Sequence, residues 1–374
     1  MPLKESYVIW NNKGGVGKST LTFHIASHYS RRNPSEKVLV IDLCPQANVS
    51  TALLNQPSKK DAGNEHLSAL YNQHKTISFY LQRSIEPGPV IKGSEYLTAV
   101  HKYNSQMPSN LFLLCGDMYL ELVGRHLDHQ RGGMAIPTNN PWVNITCSIR
   151  SFIEGKEGQV NGVTQANGNW VVFVDTNPAF SVYTEIAVAA AKKLIIPINA
   201  DDFSVAAVRA MLDLVYGICQ RNDEPADFQA YREYMFSSKA ARYELRRPLI
   251  HLLVNNRTTH LTTQNQTETR SVKGYRAMGL RNLQVLFEAY QKHREYFSPR
   301  DDIPEIDTID AFQQHYFEDI RDFHTTAILC LHTGCPLGAL SGTVNFADTG
   351  VKVKVDQSKK KIYLECLEKL IGKL

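Results

Sequence analysis

Residues 11 to 20 read Asn11-Asn12-Lys13-Gly14-Gly15-Val16-Gly17-Lys18-Ser19-Thr20. No other stretch limits the fold as strongly. Three glycines in four positions disfavour any helix or strand interior and suit a tight turn whose backbone can approach a ligand closely. The short apolar run Tyr7 to Trp10 precedes the turn, and a helical pattern from Leu21 to Arg31 follows it. Strand, glycine-rich turn and helix, in that order, make the context of a phosphate-binding loop. In such a loop the backbone amides of residues 13 to 20 face phosphate oxygens, and the helix N-terminus adds unpaired N–H groups and a favourable dipole. Lys18 reaches the β- and γ-phosphates, and the Ser19 hydroxyl is placed to ligate magnesium. The candidate nucleotide-binding residues are therefore Lys13, Gly14, Gly15, Val16, Gly17, Lys18, Ser19 and Thr20.

The rest of the chain repeats the same alternation. Val38 to Ile41, Leu111 to Cys115, Val171 to Val174, Leu194 to Ile198 and Leu249 to Val254 are short, nearly all-apolar runs. Strands buried on both faces of a parallel sheet read this way. Helical stretches such as Val182 to Lys193 and Ser204 to Ile218 separate them. The expectation is an α/β fold with a doubly wound, mostly parallel sheet and helices on both faces, the architecture of a P-loop NTPase. The 374 residues are read as a single domain, 1–374, with surface elaborations at about 55–165 and a C-terminal helical region at about 300–374. Gly63 to His66, Pro87 to Pro89 and Asn161 to Asn169 mark loops within the elaborations. The sharpest compositional boundary is near Pro299.

Several classes drop out. The longest apolar runs, such as Ile186 to Ala191, fall far short of the roughly 20 residues that span a bilayer. The N-terminal residues lack a signal-peptide pattern. Seven scattered cysteines with no Cys-x-x-Cys pair read as reduced thiols, which points to a cytoplasmic protein without a zinc site.

Asp42 and Asp175 each close a buried strand, and in a doubly wound sheet the ligand crevice lies at the carboxyl ends of the strands. The segment from Asn11 to Thr20 resembles the deviant Walker A loop of the ParA/MinD ATPases. Ile41-Asp42-Leu43-Cys44-Pro45-Gln46 and Val171 to Ser181 resemble two further motifs of that family. The likeness continues through Ile195 to Ser204 and Val254 to Arg257, and more faintly in Gly334 to Leu337. The resemblance implies ATP and magnesium as cofactors, with Ser19, Asp42 and Asp175 as the metal residues: Asp175 as the Walker B aspartate, and Asp42 beside the metal and the γ-phosphate. It implies catalytic roles for Lys13, Lys18 and Asp42, with Lys13 reaching across an ATP-bound homodimer to the partner's nucleotide. It also places an adenine contact at Asn255, with Asn256 and a plain turn asparagine as the alternatives. One departure matters: the family pattern Asp-Leu-Asp-Pro-Gln has Cys44 at its second aspartate. A protonated thiol carries no charge and orients water poorly, so nucleotide binding and dimerisation are better supported than rapid hydrolysis.

Net charge is only +4, but it is the remainder of larger opposed blocks. Residues 231–300 hold 13 Lys/Arg against 5 Asp/Glu, while residues 301–330 hold 8 acids against Arg321 alone. A basic face carrying Arg242, Arg246, Arg247, Arg270, Lys273, Arg276 and Arg281 suits non-specific contact with DNA phosphates, and the resemblance implies such binding in the ATP state, with a ParB-like stimulating partner. The last segment, Lys361 to Leu374, is an amphipathic helix. Glu365 and Glu368 on its polar face would be repelled by anionic lipid, so docking on the domain core is the expectation rather than membrane attachment. Read together, the residues and the resemblance imply a slow, partner-stimulated ATPase of DNA partition or cargo positioning, cytoplasmic and nucleoid-associated. The alternatives are a MinD-like membrane-associated positioner and a hydrolysis-poor ATP switch.

Overall fold

The computed structural model describes residues 3–374 apart from 57, 58, 60, 137, 138, 166, 167, 220–224, 226–228, 259, 262–269, 272, 301–305 and 347–350. At 202, 257, 258, 260, 261, 270, 271, 273, 275 and 276 it describes the backbone only. The main sheet is built from β1 (Leu3–Ile9), β2 (Glu36–Leu43), β3 (Thr98–Ala99), β4 (Leu111–Leu114), β5 (Asn169–Thr176), β6 (Lys193–Ile198), β7 (Leu249–Thr258) and β8 (Phe317–Arg321). Their spatial order is β8-β7-β6-β1-β5-β2-β4-β3. Every neighbouring pair is parallel except β3 with β4.

The apolar runs form strands because side chains alternate between two covered faces. Val8, Leu39, Ile41, Val172 and Val174 pack on one side of the sheet. Tyr7, Ile9, Val38, Val40, Val171 and Phe173 pack on the other. The chain order of the helices is α1 (Lys18–Arg32), α2 (Asn48–Leu54), α3 (Ala62–Asn72), α4 (Ile77–Ile85), α5 (Leu120–Arg131), α6 (Pro141–Thr146), α7 (Ser148–Glu154), α8 (Val182–Ala190), α9 (Asp202–Tyr216), α10 (Phe236–Arg242), α11 (Lys273–Lys292), α12 (Ile309–Tyr316), α13 (His324–Thr333) and α14 (Gln357–Ile371). Helices α1, α2, α3, α13 and α14 contribute to the second core. Helices α4 to α12 contribute to the first. The segment around 55–165 therefore covers both faces of the sheet.

Several expectations shift. Gly63 to His66 lies inside α3, not in a loop. Gly63 is there because a Cβ would come within 2.2 Å of the Thr51 carbonyl oxygen, so only glycine lets α3 pass α2 that closely. The helix expected from Val182 to Lys193 ends at Ala190, and Lys193 instead opens β6. The C-terminal region is not wholly helical: it supplies the edge strand β8 and the hairpin Thr343–Phe346 with Val351–Lys354.

Helix α14 buries Tyr363, Leu367, Leu370 and Ile371. Glu368 on its outer side binds His28 at 2.7 Å and Arg32 at 2.8 Å, both on α1. The tail thus closes onto the first helix of the chain. Among the described residues no helix is long and apolar enough to cross a membrane.

Candidate functional site

The turn between β1 and α1 needs glycine at two positions: Gly15 has φ +73° and Gly17 φ +80°, a left-handed backbone that side-chain-bearing residues adopt at a cost. This conformation brings the first amides of α1 to the carboxyl edge of the sheet. Lys18 is 6% exposed, and its Nζ donates to the carbonyl oxygens of Lys13 at 2.8 Å and Asn11 at 3.3 Å. The ammonium thus folds over its own loop. Burial, partly offset by the Asp175 carboxylate, lowers its pKa to about 8.

Parallel register sets Asp42 directly beside Asp175 at the ends of β2 and β5. Both are fully buried. Asp175 accepts from Ser19 Oγ at 2.6 Å and Thr22 Oγ1 at 3.0 Å. Asp42 accepts from the Cys44 amide at 3.1 Å, and from the Ser50 amide at 3.0 Å and hydroxyl at 2.7 Å. Burial holds both carboxyls above the usual range; facing Asp175 raises Asp42 further, while the Ser19 and Thr22 hydroxyls oppose the shift at Asp175. The Lys18 charge also opposes the shift at Asp175 but does not offset burial. Serine hydroxyl and carboxylate are hard oxygen donors that suit magnesium, and magnesium keeps several waters rather than demanding an all-protein cage. Accordingly, no cluster of three or more His, Cys, Asp or Glu that could hold a metal occurs among the described residues. Ser19 and Asp175 fit the ion best. Asp42 has three of its roughly four acceptor sites already used within the chain, which makes it a neighbour of the metal more than a ligand. Gly116, which the sequence reading missed, backs this corner: its amide donates to Ser50 Oγ at 2.9 Å, and a Cβ there would press on the Asp42 carboxyl carbon at 2.8 Å.

Lys13 is not free in this state. Its Nζ is ion-paired with Asp201, the residue that caps α9, and lies 5.7 Å from the centre of the Phe203 ring. Cys44 is 5% exposed, and burial, then Asp42 and Asp175, push its thiol up to about 12. It is a neutral thiol beside the carboxylate pair, with no charge to offer water.

The adenine expectation at Asn255 needs correction. Asn255 is wholly buried, and its amide donates to Asp319 of β8 at 2.7 Å, away from the loop. Its neighbour Asn256 points to the opposite side and donates to the Val16 carbonyl at 2.9 Å. Asn256 also lines a cavity of about 270 Å³ that adjoins the first turn of α1. Thr20 and Leu21 form one wall, and Arg321, Asp322 and Phe323, from the end of β8 and the turn after it, form the opposite one. The sequence reading missed this second wall because it lies three hundred residues from the loop and carries no phosphate-binding pattern.

The basic face is thinner than its composition suggests. Arg246 pairs with Glu154 at 2.7 Å, and the Arg247 guanidinium lies 4.9 Å from the Tyr296 ring. Both serve the fold. Arg242 and Arg281 are exposed, while the side chains of Arg270, Lys273 and Arg276 lie outside the described residues. Some charge in the two opposed blocks cancels internally, as in Arg294 with Asp307 at 3.2 Å.

With this geometry in view, known proteins can be compared. Residues 5–123 match the family model described as an AAA domain. "Uncharacterized protein MJECL24" of Methanocaldococcus jannaschii is 24% identical over 217 residues, which is 58% of this chain and 67% of that one. Among solved structures, apo McdA of Cyanothece aligns with a TM-score of 0.54 at 15% identity, covering 98% of this chain and 99% of its own. An ATP complex of a Cyanothece McdA variant aligns at 0.53 and 14% identity, covering 98% and 96%. The fold is that of a P-loop NTPase, a mostly parallel sheet with helices on both faces. The chain shares the fold of those McdA structures, and its loop keeps the two lysines, Lys13 and Lys18, on which the ParA/MinD resemblance was drawn.

Proposed function

We propose that this chain is a Mg-ATP-dependent dimerising ATPase for DNA partition or cargo positioning, acting as one ParA-like domain and gaining affinity for duplex DNA in its ATP state. The observation that carries the reading is the convergence of Lys13, Lys18, Ser19, Asp42 and Asp175 on one loop at the carboxyl edge of a parallel sheet. Loop amides and Lys18 bind the β- and γ-phosphates, Lys18 exchanging the carbonyls of Lys13 and Asn11 for phosphate oxygens. Ser19 and Asp175 hold magnesium, which when bound neutralises phosphate charge and relieves the carboxylate pair. Lys13 leaves Asp201 and reaches the nucleotide of a second copy, where a cation stabilises the charge that develops on the transferred phosphoryl group.

Cys44 favours slow turnover, prompted by a ParB-like partner, and keeps a second reading in play: a hydrolysis-poor ATP switch used as a binding module. In either case the protein works in the cytoplasm, on the nucleoid when DNA-bound. The test is duplex DNA retention at stated salt with ATP, ADP and no nucleotide, in the native chain and in Lys18→Ala. DNA binding that needs ATP and vanishes in the variant is the expected result. Binding indifferent to nucleotide overturns the switch, and ATP hydrolysis measured alongside separates the two readings.

A further inference from the structure

His24 stands one helical turn beyond Thr20 on α1, at the i+4 spacing that places two side chains on one face. It lines the same cavity as Thr20, Asn256 and Asp322. The residue is 2% exposed, yet neither ring nitrogen has a hydrogen-bond partner. Buried polar groups are nearly always paired, and an orphaned one costs the full desolvation of the group. The ring is not loose: it packs edge-on against Phe23, with centroids 5.4 Å apart, and against Phe323 at 5.2 Å. Across the cavity Arg321 carries a second orphan, a buried Nη2 without a partner. Two residues that line one cavity thus carry buried polar atoms without a partner.

Distance along the helix identifies what fits. From Lys18 to His24 is six residues, about 9 Å at the α-helical rise. That is the scale on which a nucleotide held by its phosphates at the helix start presents its base. Burial, and then the nearby His28, push the His24 pKa down to about 3, so the imidazole is neutral and offers one N–H donor and one acceptor.

We propose that His24 is a specificity-determining residue that hydrogen-bonds the edge of the bound nucleobase, in the cavity between α1 and the turn after β8. This inference rests on the ATP reading and assigns to it a residue that no phosphate-loop pattern contains. Adenine matches the site because its amino group and ring nitrogens supply both a donor and acceptors.

The test measures dissociation constants for ATP, GTP and inorganic tripolyphosphate by calorimetry, on the native chain, His24→Leu and His24→Gln. Tripolyphosphate engages the loop but has no base. The expected result is about tenfold weaker ATP binding in His24→Leu, the loss of one hydrogen bond into a site built for it, with tripolyphosphate unchanged. His24→Gln restores part of the affinity, since its amide also donates and accepts. Equal ATP affinity in the native chain and His24→Leu, with tripolyphosphate bound by both, overturns the role of His24. Binding of neither ATP nor tripolyphosphate by the native chain overturns the nucleotide reading itself, so the two failures are distinct. Thermal unfolding checks the variants: removing an unpaired imidazole from an apolar pocket should leave the melting temperature equal or higher.

Discussion

The two ends of the proposed nucleotide cleft treat their polar groups in opposite ways. At the phosphate end the charged and hydroxyl groups are already paired within the chain: Lys18 with loop carbonyls, Ser19 and Thr22 with Asp175, Asp42 with Ser50 and Cys44, and Lys13 with Asp201. At the base end His24 and Arg321 are left with unpaired atoms. A ligand arriving at the first end must exchange one set of bonds for another; at the second it fills a need. Under the proposed function, the phosphate end governs chemistry and coupling, while the base end adds affinity and selectivity.

The comparison can be broken most directly at Lys13. If its task is to leave Asp201 and act on a second copy's nucleotide, Lys13→Ala should lower ATP turnover by about 10³-fold, the scale of a transferred cation in phosphoryl transfer. ATP affinity of the monomer should change little. Steady-state hydrolysis and calorimetry together check this, and lost affinity with unchanged turnover per bound ATP would place Lys13 in binding instead.

A pH series sharpens the account of Lys18. Its pKa in the unliganded fold is lowered to about 8, and the ammonium is the form that binds phosphate. Above that pH the free protein loses the proton and must regain it on binding, so ATP affinity should fall by up to about tenfold per pH unit as pH rises past 8. The same shift means that the unliganded chain pays for a buried ammonium below pH 8. Its stability should therefore rise as pH climbs from about 8 toward the ordinary lysine range. Proton uptake measured by calorimetry in buffers of different ionisation enthalpy checks the sign.

The smallest effect is at Asp201. The Lys13–Asp201 pair is partly exposed, with side-chain accessibilities of 22% and 38%, and such pairs contribute little. Asp201→Asn should ease the release of Lys13 and raise ATP-dependent self-association by about two- to fivefold, read by sedimentation. A large increase would mean that the pair is the main restraint on closure.

Much of the phosphate end was legible because its chemistry is contiguous. The loop occupies ten consecutive residues, and Asp42 and Asp175 announce themselves as the polar ends of apolar strands. Parallel register then brings them together without further instruction. The base end was illegible for the converse reason: Thr20, Asn256 and Asp322 meet only because β7 and β8 lie on one flank of β1. The choice between Asn255 and Asn256 shows how fine the missing information is. One residue along a strand reverses the face, so a motif that locates the strand end without its pleat cannot choose between them. The edge strand β8 escaped notice because Phe317-Glu318-Asp319-Ile320-Arg321 mixes charge with apolar residues, and those acids are spent on Lys373 and Asn255. Gly63 misled because glycine in polar company signals a loop, whereas here it marks the crossing of two helices.

The docking of α14 on α1 has a consequence for biosynthesis. Leu367 lines the base cavity, and Glu368 binds His28 and Arg32. The glycine-rich loop leaves the ribosome ahead of Leu367, which follows it by roughly 350 residues, or some twenty to seventy seconds at about 5–20 residues per second. During that interval the nascent chain has the loop sequence without the Leu367 side of the cavity. In the proposed nucleotide site the base cavity is therefore complete only once α14 has docked on α1.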